Sequence, residues 1–270
     1  MPYERELEAA LEACRLTRQP ILEEYGRFEA IHDAAAEIKL AVDRDTQETL
    51  LRHLGVAFPE DAFCAEEDTP ALAGRAAGAR ERVWVVDPID GTRGFARKTG
   101  EFSVMVALAE RGAPVVGVVF EPVPDRFTYA VRGGGCWQRT GTGAAAPCRV
   151  ATAGRLEEAA LVVSRPSNPA KRPRAVEALK PGRAVYTYSA GIKLALVARG
   201  EVDLYLNTYP NFHDWDVCAG HILVEEAGGR VTGLRGEEIR YGQADAGQRL
   251  GLLASNGRVH AAALRAMEGE

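Results

Sequence analysis

Two carboxylates three residues apart, in Asp87-Pro88-Ile89-Asp90-Gly91-Thr92, follow the apolar run Val83-Trp84-Val85-Val86. An unbroken apolar run is the pattern of a strand covered on both faces. Pro88 has no N–H to give to a ladder, so it is expected to lead the chain out of the sheet and leave Asp87 and Asp90 at a strand exit. Carboxylate oxygens placed there suit a hard divalent cation such as Mg²⁺, which keeps waters and joins a substrate phosphate to one or two acids. If Gly91 and Thr92 open a short helix, their N–H groups have no intrahelical partner and face an anion. An Asp-Pro turn followed by an Asp helix cap accounts for the same residues without a ligand.

Other acids also stand at element ends. Asp43 and Asp45 precede a helical pattern from Thr46 to Leu54, and either is able to start it. Glu66-Glu67-Asp68 follows a short strand, Ala62 to Ala65, and Asp214-Trp215-Asp216 opens a helix that runs to Glu226 before Gly228-Gly229. Acids that converge need a cation or raised pKa values. Taken singly, Asp43 and Asp216 also read as helix caps and Glu66-Glu67-Asp68 as a solvated loop. His213, at a helix start, reads as a cap or surface group before it reads as a catalyst, and His221 reads as a packing residue. Trp84 is assigned to the core and Trp137 to a turn.

The elements that must position these groups fall into two kinds. A first helix is expected from Glu4 to about Tyr25, kinked at Pro20. Phe102 to Ala109, Pro114 to Phe120 and Phe127 to Val131 read as an antiparallel meander, and Gly141 to Pro147 as a loop. After Thr152, strands at Leu161 to Ser164, Ala184 to Thr187, Val202 to Leu206, Arg230 to Thr232 and Leu250 to Ala254 alternate with helices at Ala170 to Leu179, Ile192 to Arg199, Asp214 to Glu226 and from Val259. The expected organisation is an N-terminal α+β domain over 1–150, carrying most of the metal ligands on an antiparallel sheet, and a C-terminal α/β domain over 151–270 that completes the site. Two sheets with helices between them give an α/β/α/β/α layering.

With 270 residues, 46% of them hydrophobic and 26% charged, the chain has length enough for a large buried core. A net charge of −5 offers no general attraction to a nucleic acid polymer or an anionic membrane. The five scattered cysteines form no zinc pattern and suggest a reducing, cytoplasmic setting. No signal peptide or membrane span is legible.

Asp87-Pro88-Ile89-Asp90-Gly91-Thr92 together with Trp215-Asp216-Val217-Cys218-Ala219-Gly220 resembles the signature pair of the inositol monophosphatase superfamily of Mg²⁺-dependent, Li⁺-sensitive phosphatases. Glu66 stands where that family has a Glu-Glu pair, and Asp43 where it has an acid at a helix start. The resemblance implies the layered sandwich of the inositol monophosphatase and fructose-1,6-bisphosphatase type. It implies that Glu66, Asp87 and the Ile89 carbonyl bind one metal and that Asp87, Asp90 and Asp216 bind a second, with two or three Mg²⁺ per site. It implies that Gly91 and Thr92 receive phosphate through N–H groups, and that the Thr92 hydroxyl, bonded to Asp43, orients the attacking water. Asp43, Glu66 and Thr92 are then the catalytic residues. The chain departs from the family at Lys39-Leu40-Ala41-Val42-Asp43, where a Val-Thr lead-in is expected, which leaves Asp45 as an alternative to Asp43.

Arg93 to Val104, with Gly100-Glu101-Phe102, is similar to the 3′(2′),5′-bisphosphate nucleotidase branch. Ser189-Ala190-Gly191-Ile192-Lys193 and Ser164-Arg165 are similar to two further stretches of that branch, although Tyr188 replaces a glycine. Substrate contacts are therefore expected from Asp90, Gly91, Thr92, Arg165, Ser189, Lys193 and Asp216, with Arg93, Arg97 and Lys98 as additional cations. The implied substrate is a small phosphorylated metabolite such as adenosine 3′,5′-bisphosphate. Inositol 1-phosphate, histidinol phosphate, fructose 1,6-bisphosphate and a non-catalytic phosphate- or cation-binding module are the alternatives. A monomer or a homodimer fits the resemblance equally.

Overall fold

The computed structural model of the protein describes residues 2–34, 38, 40–75, 80–166, 173–209, 212–243 and 245–268. Two helices come first, α1 (Glu4–Arg27) and α2 (Ala41–Ala57). A seven-stranded sheet follows, built from β1 (Ala62–Ala65), β2 (Arg82–Asp90), β3 (Ser103–Glu110), β4 (Ala113–Glu121), β5 (Arg126–Val131), β6 (Gly135–Thr140) and β7 (Ala146–Pro147) in that spatial order. The short helix α3 (Thr92–Ala96) sits between β2 and β3. All neighbours in this sheet are antiparallel except β1 and β2.

The second sheet uses β8 (Ala160–Ser164), β9 (Arg183–Thr187) and β10 (Leu204–Asn207), with α4 (Arg174–Leu179) and α5 (Ala190–Ala198) as crossovers. A two-residue strand β11 (Phe212–His213) then leads into α6 (Asp214–Glu226), β12 (Arg230–Thr232), β13 (Gly247–Gln248), β14 (Leu252–Ser255) and α7 (His260–Glu268). The order is β12-β14-β10-β8-β9, parallel from β10 to β9, while β11 and β13 pair separately. The expected divide at 150/151 falls in the connection between β7 and β8.

Alternation along the strands sorts the core into layers. In β2, Trp84 and Val86 join α1 and α2 on one face, while Val83 and Val85 face α5 and α6 on the other. In β8, Ala160 and Val162 meet that same middle layer, and Leu161 and Val163 turn to α4 and α7. The result is the anticipated α/β/α/β/α sandwich.

Several boundaries move. The helix expected from Thr46 begins at Ala41, after Leu40, so Asp43 and Asp45 lie inside it. Asp43 Oδ2 accepts the Leu40 N–H at 2.8 Å and so caps the helix from its third position. A single helix runs through Pro20. The meander gains β6 and β7: Trp137 lies on a strand rather than a turn, and Ala146-Pro147 pairs at the sheet edge, where proline is tolerated. Lys39 and residues 170–172 of an expected helix lie outside the described residues.

Two features of the packing carry expected results. A Cβ on Gly220 would lie 2.3 Å from Leu194 Cδ1 and 2.4 Å from Leu194 Cβ, so α5 and α6 approach over a bare backbone. Gly220→Ala is expected to cost about 1–3 kcal/mol, read as a lower melting temperature. At the start of α7, buried His260 bonds Thr232 Oγ1 and Ser255 Oγ, each at 2.9 Å. Burial first, then Arg230, pushes its pKa down to about 4. Between about 4 and 6.5 the unfolded chain therefore holds a proton that the folded one refuses, so stability falls as pH drops through that window. Thermal melts at pH 7 and pH 4.5 are expected to differ less for His260→Gln than for the wild type.

Candidate active site

β2 does not leave its sheet at Pro88. The ladder pairs Asp87 with Met105 and Asp90 with Ser103, so one extra residue is accommodated on β2 as a bulge. Residues three apart on a regular strand face opposite sides; the bulge turns Asp87 and Asp90 to the same side. That side is the one on which Met105 packs with α5 and α6. Gly91 then reverses the chain at φ 86°, and a Cβ there would lie 2.8 Å from the Glu101 carbonyl oxygen, so only glycine fits.

Three helices begin at this point: α3 at Thr92, α5 at Ala190 and α6 at Asp214. Helix starts favour anions, which explains how the fold tolerates acids here. Asp90 shows it directly. Its Oδ1 accepts Ala190 N–H at 3.0 Å, and its Oδ2 accepts Gly191 N–H at 2.8 Å and the hydroxyls of Ser103, at 3.1 Å, and Ser189. With Oδ2 fully occupied, the carboxylate has a lone pair to offer only on Oδ1. Asp216, in the first turn of α6, accepts the His213 N–H on Oδ2 at 2.7 Å.

Asp87, Asp90 and Asp216 each offer an oxygen, and the three oxygens lie within 4.8 Å of one another. The first two are buried. Burial, then Glu66, Asp90, Asp216 and Asp43, pushes the Asp87 carboxyl well above its ordinary range. Burial also raises Asp90, against the stabilising Ser189 hydroxyl and Lys193. A cleft of about 380 Å³ opens over these acids, and Glu66, Ile89, Gly91, Thr92, Arg93, Arg165, Tyr188 and Lys193 also line it.

Most of the expected site residues therefore meet. Glu66 lines the cleft, outside the tight trio. Asp43 is buried behind it and adds to the field on Asp87. Asp45 is exposed and borders a different cavity, between α1 and α2, which removes it as the alternative to Asp43. Thr92 Oγ1 donates to the Ile89 carbonyl at 3.0 Å. A hydroxyl has one proton, so donation from Thr92 to Asp43 requires this side chain to rotate.

Ser189 is corrected. It is fully buried, caps α5 by accepting Ile192 N–H at 2.8 Å, and donates to Asp90, so it braces an acid instead of facing a substrate. Lys193 is almost fully buried beside the cleft. Its ammonium donates to the carbonyls of Tyr188 at 3.0 Å and Ser189 at 2.9 Å, and burial lowers its pKa to about 8. His213 occupies the α6 cap position with its ring stacked on Trp215, and His221 is buried against Tyr241.

Gln47 went unnoticed in the sequence. Wholly buried, it accepts the Glu67 N–H at 2.7 Å and donates to the Glu67 carbonyl and to Thr69 Oγ1, pinning the loop that presents Glu66. Its signal was a polar residue one turn after Asp43 on the buried face of a helix. Tyr209 and Phe212, also missed, line the far wall of the cleft.

Comparison with known proteins agrees with this geometry. The model of the inositol monophosphatase family matches residues 3–270. A 3′(2′),5′-bisphosphate nucleotidase CysQ of Salmonella typhimurium is 31% identical over 204 residues, 74% of this chain and 78% of that protein. A histidinol-phosphatase of Mycobacterium tuberculosis is 33% identical over 223 residues, 82% of this chain and 79% of that protein. The solved inositol monophosphatase from Anabaena superposes with a TM-score of 0.80 at 26% identity, covering 100% of this chain and 97% of the other. The chain belongs to the inositol monophosphatase family and is one of its phosphoric monoester hydrolases.

Proposed function

We propose that the protein is a Mg²⁺-dependent phosphomonoesterase whose substrate is a 3′(2′),5′-bisphosphate nucleotide, adenosine 3′,5′-bisphosphate in particular. The observation that carries the hydrolase reading is the meeting of Asp87, Asp90 and Asp216 within 4.8 Å. Oxygen donors alone, two of them raised in pKa by burial first and by neighbouring acids second, fit a hard divalent cation and fit no soft metal. Glu66, Asp87 and the Ile89 carbonyl would hold one ion and Asp87, Asp90 and Asp216 a second. Such ions, when bound, supply Lewis-acid polarisation of the phosphate and lower the pKa of water.

The chain's own residues do the rest. Gly91 and Thr92 present N–H groups to the phosphate oxygens. Thr92 Oγ1, its proton given to Ile89 O, accepts a hydrogen bond from the attacking water and aligns it with the ester bond. After Thr92 rotates, Asp43 receives a proton through that hydroxyl. The water oxygen joins phosphorus as the ester P–O bond breaks, and the departing oxygen leaves with the bonding pair and takes a proton from solvent water. No covalent intermediate on the protein is required.

The nucleotide assignment draws on the CysQ relative and on the charge of the cleft rim, where Arg93 and Arg165 stand. A histidinol phosphate would bring its own ammonium into that rim, and an inositol ring would bring no charge to it. Phosphate release measured with adenosine 3′,5′-bisphosphate, inositol 1-phosphate, fructose 1,6-bisphosphate and histidinol phosphate is expected to give the nucleotide the highest kcat/KM. A higher value for any other member of the panel refutes the assignment.

A further inference from the structure

The cleft has chemically opposite ends. Its floor is acidic, and its rim is built around Tyr188, where the related branch carries glycine. Three guanidinium carbons surround the Tyr188 ring: Arg93 at 5.4 Å from the centroid, Arg165 at 5.7 Å and Arg97 at 5.9 Å. Arg97 also donates to the Tyr188 phenol oxygen at 2.9 Å. Packing cations around one aromatic ring offsets part of their repulsion and fixes their directions. It leaves a concentrated positive field that Glu101 only partly answers by pairing with Arg165.

Not every cation near the rim is available to a ligand. Lys98 donates to the Tyr25 carbonyl, lies 4.2 Å from that ring's centroid and is not part of the cleft lining. Lys193 is committed to two carbonyls and Arg97 to the phenol. Arg93 and Arg165 are the arginines that line the cleft, and Arg93 Nε is buried without a hydrogen-bond partner among the described residues. An unanswered guanidinium N–H is costly, and Arg97 Nε shares that state; at Arg93, whose side chain lines the cleft, an anion that draws the guanidinium forward would relieve it.

We propose that Arg93 and Arg165, held in place by Tyr188, form a second anion subsite that takes the non-scissile phosphate of a bisphosphate substrate. The inference rests on the reading of the acidic floor as the place of the scissile phosphate. Two forked guanidiniums match the oxygens of a phosphate dianion, which competes with Glu101 for Arg165 and satisfies Arg93. Tyr188 is a positioning residue: it touches the arginines and orders them before the ligand arrives.

The test uses the full-length, Mg²⁺-supplemented protein and the ratio of kcat/KM for adenosine 3′,5′-bisphosphate over adenosine 3′-monophosphate. Arg93→Gln and Arg165→Gln are each expected to lower that ratio about 10- to 100-fold. Arg93→Lys, which keeps the charge and loses the fork, recovers part of it. Tyr188→Gly is expected to raise KM for the bisphosphate more than it lowers kcat. The Arg165 side chain is 41% exposed, so its replacement keeps the test open should Arg93→Gln fold poorly. An unchanged ratio in both variants, or equal losses on both substrates, overturns the subsite, the latter because it would assign the arginines to the scissile phosphate. Calorimetric binding of adenosine 5′-monophosphate, which carries only the non-scissile group, probes the same subsite without turnover: the Gln variants bind it about tenfold more weakly, and equal binding overturns the proposal. A wild type that prefers inositol 1-phosphate refutes the nucleotide assignment alone, since the effect of the variants on the ratio is read independently.

Discussion

Asp216→Asn is expected to lower kcat/KM about 10³-fold while shifting the melting temperature by no more than about 2 °C; Asp90→Asn is expected to lose both turnover and stability. The two acids stand in the same oxygen trio but are supported differently. Asp216 commits one oxygen to the His213 N–H, and an amide keeps that bond by presenting its carbonyl there. What it would lose, on the proposed function, is the charge that holds a cation and, through it, the field on the phosphate, a loss of about 4 kcal/mol in the transition state. Asp90 receives a backbone N–H on each oxygen, from Ala190 and from Gly191. An amide at 90 must aim its NH₂ at one of these donors, leaving a buried N–H unpaired at a cost of about 1–3 kcal/mol. An amide at position 90 is therefore expected to destabilise the start of α5. Phosphate release and thermal melts on the two variants check both halves; equal melting temperatures would show that the α5 cap does not depend on the Asp90 charge.

Asp87→Asn is expected to inactivate the enzyme and yet make it more stable in a chelator. Asp87 is buried, and Glu66, Asp90, Asp216 and Asp43 all oppose its ionisation. Its folded pKa is raised above the unfolded value of 3.8, so above that value unfolding releases a proton, and metal-free stability declines as pH rises. Removing the charge removes that decline. The single bond Asp87 makes to its neighbour, Oδ1 accepting Ile89 N–H at 3.1 Å, survives in an amide. A gain of about 1–2 kcal/mol, some 2–8 °C, is expected at pH 8 in chelator. Adding Mg²⁺ is expected to stabilise the wild type strongly, because only the folded chain assembles the cage, and to leave Asp87→Asn almost unmoved. Melts with and without Mg²⁺ measure this; a wild type insensitive to the ion would contradict it.

The sequence displayed the layering well because the strands of the sandwich alternate between two apolar faces, as Trp84 and Val85 do. It displayed β7 poorly: Ala146-Pro147 is a two-residue edge strand with no period to detect. The acids were legible by type and spacing, but not the reason Asp87 and Asp90 face one way, since a bulge is a property of the pairing between β2 and β3 and not of β2 alone. Ser189 was misjudged for a similar cause. Its likeness to a stretch of the nucleotidase branch suggests a substrate contact, whereas its placement under Asp90 depends on a contact between residues 99 positions apart. Gln47 and the Tyr188 cluster are likewise made by distant segments meeting.

The proposed function requires Glu66, Asp87, Asp90 and Asp216 to cage divalent ions, and anomalous diffraction from crystals grown with Mn²⁺ in place of Mg²⁺ is the sharpest test of that cage. At least two peaks bridged by Asp87 are expected, one also reached by Glu66 and the other by Asp90 and Asp216. A map with no peak within bonding distance of Asp87, from crystals in which the ion restores phosphate release, would contradict it.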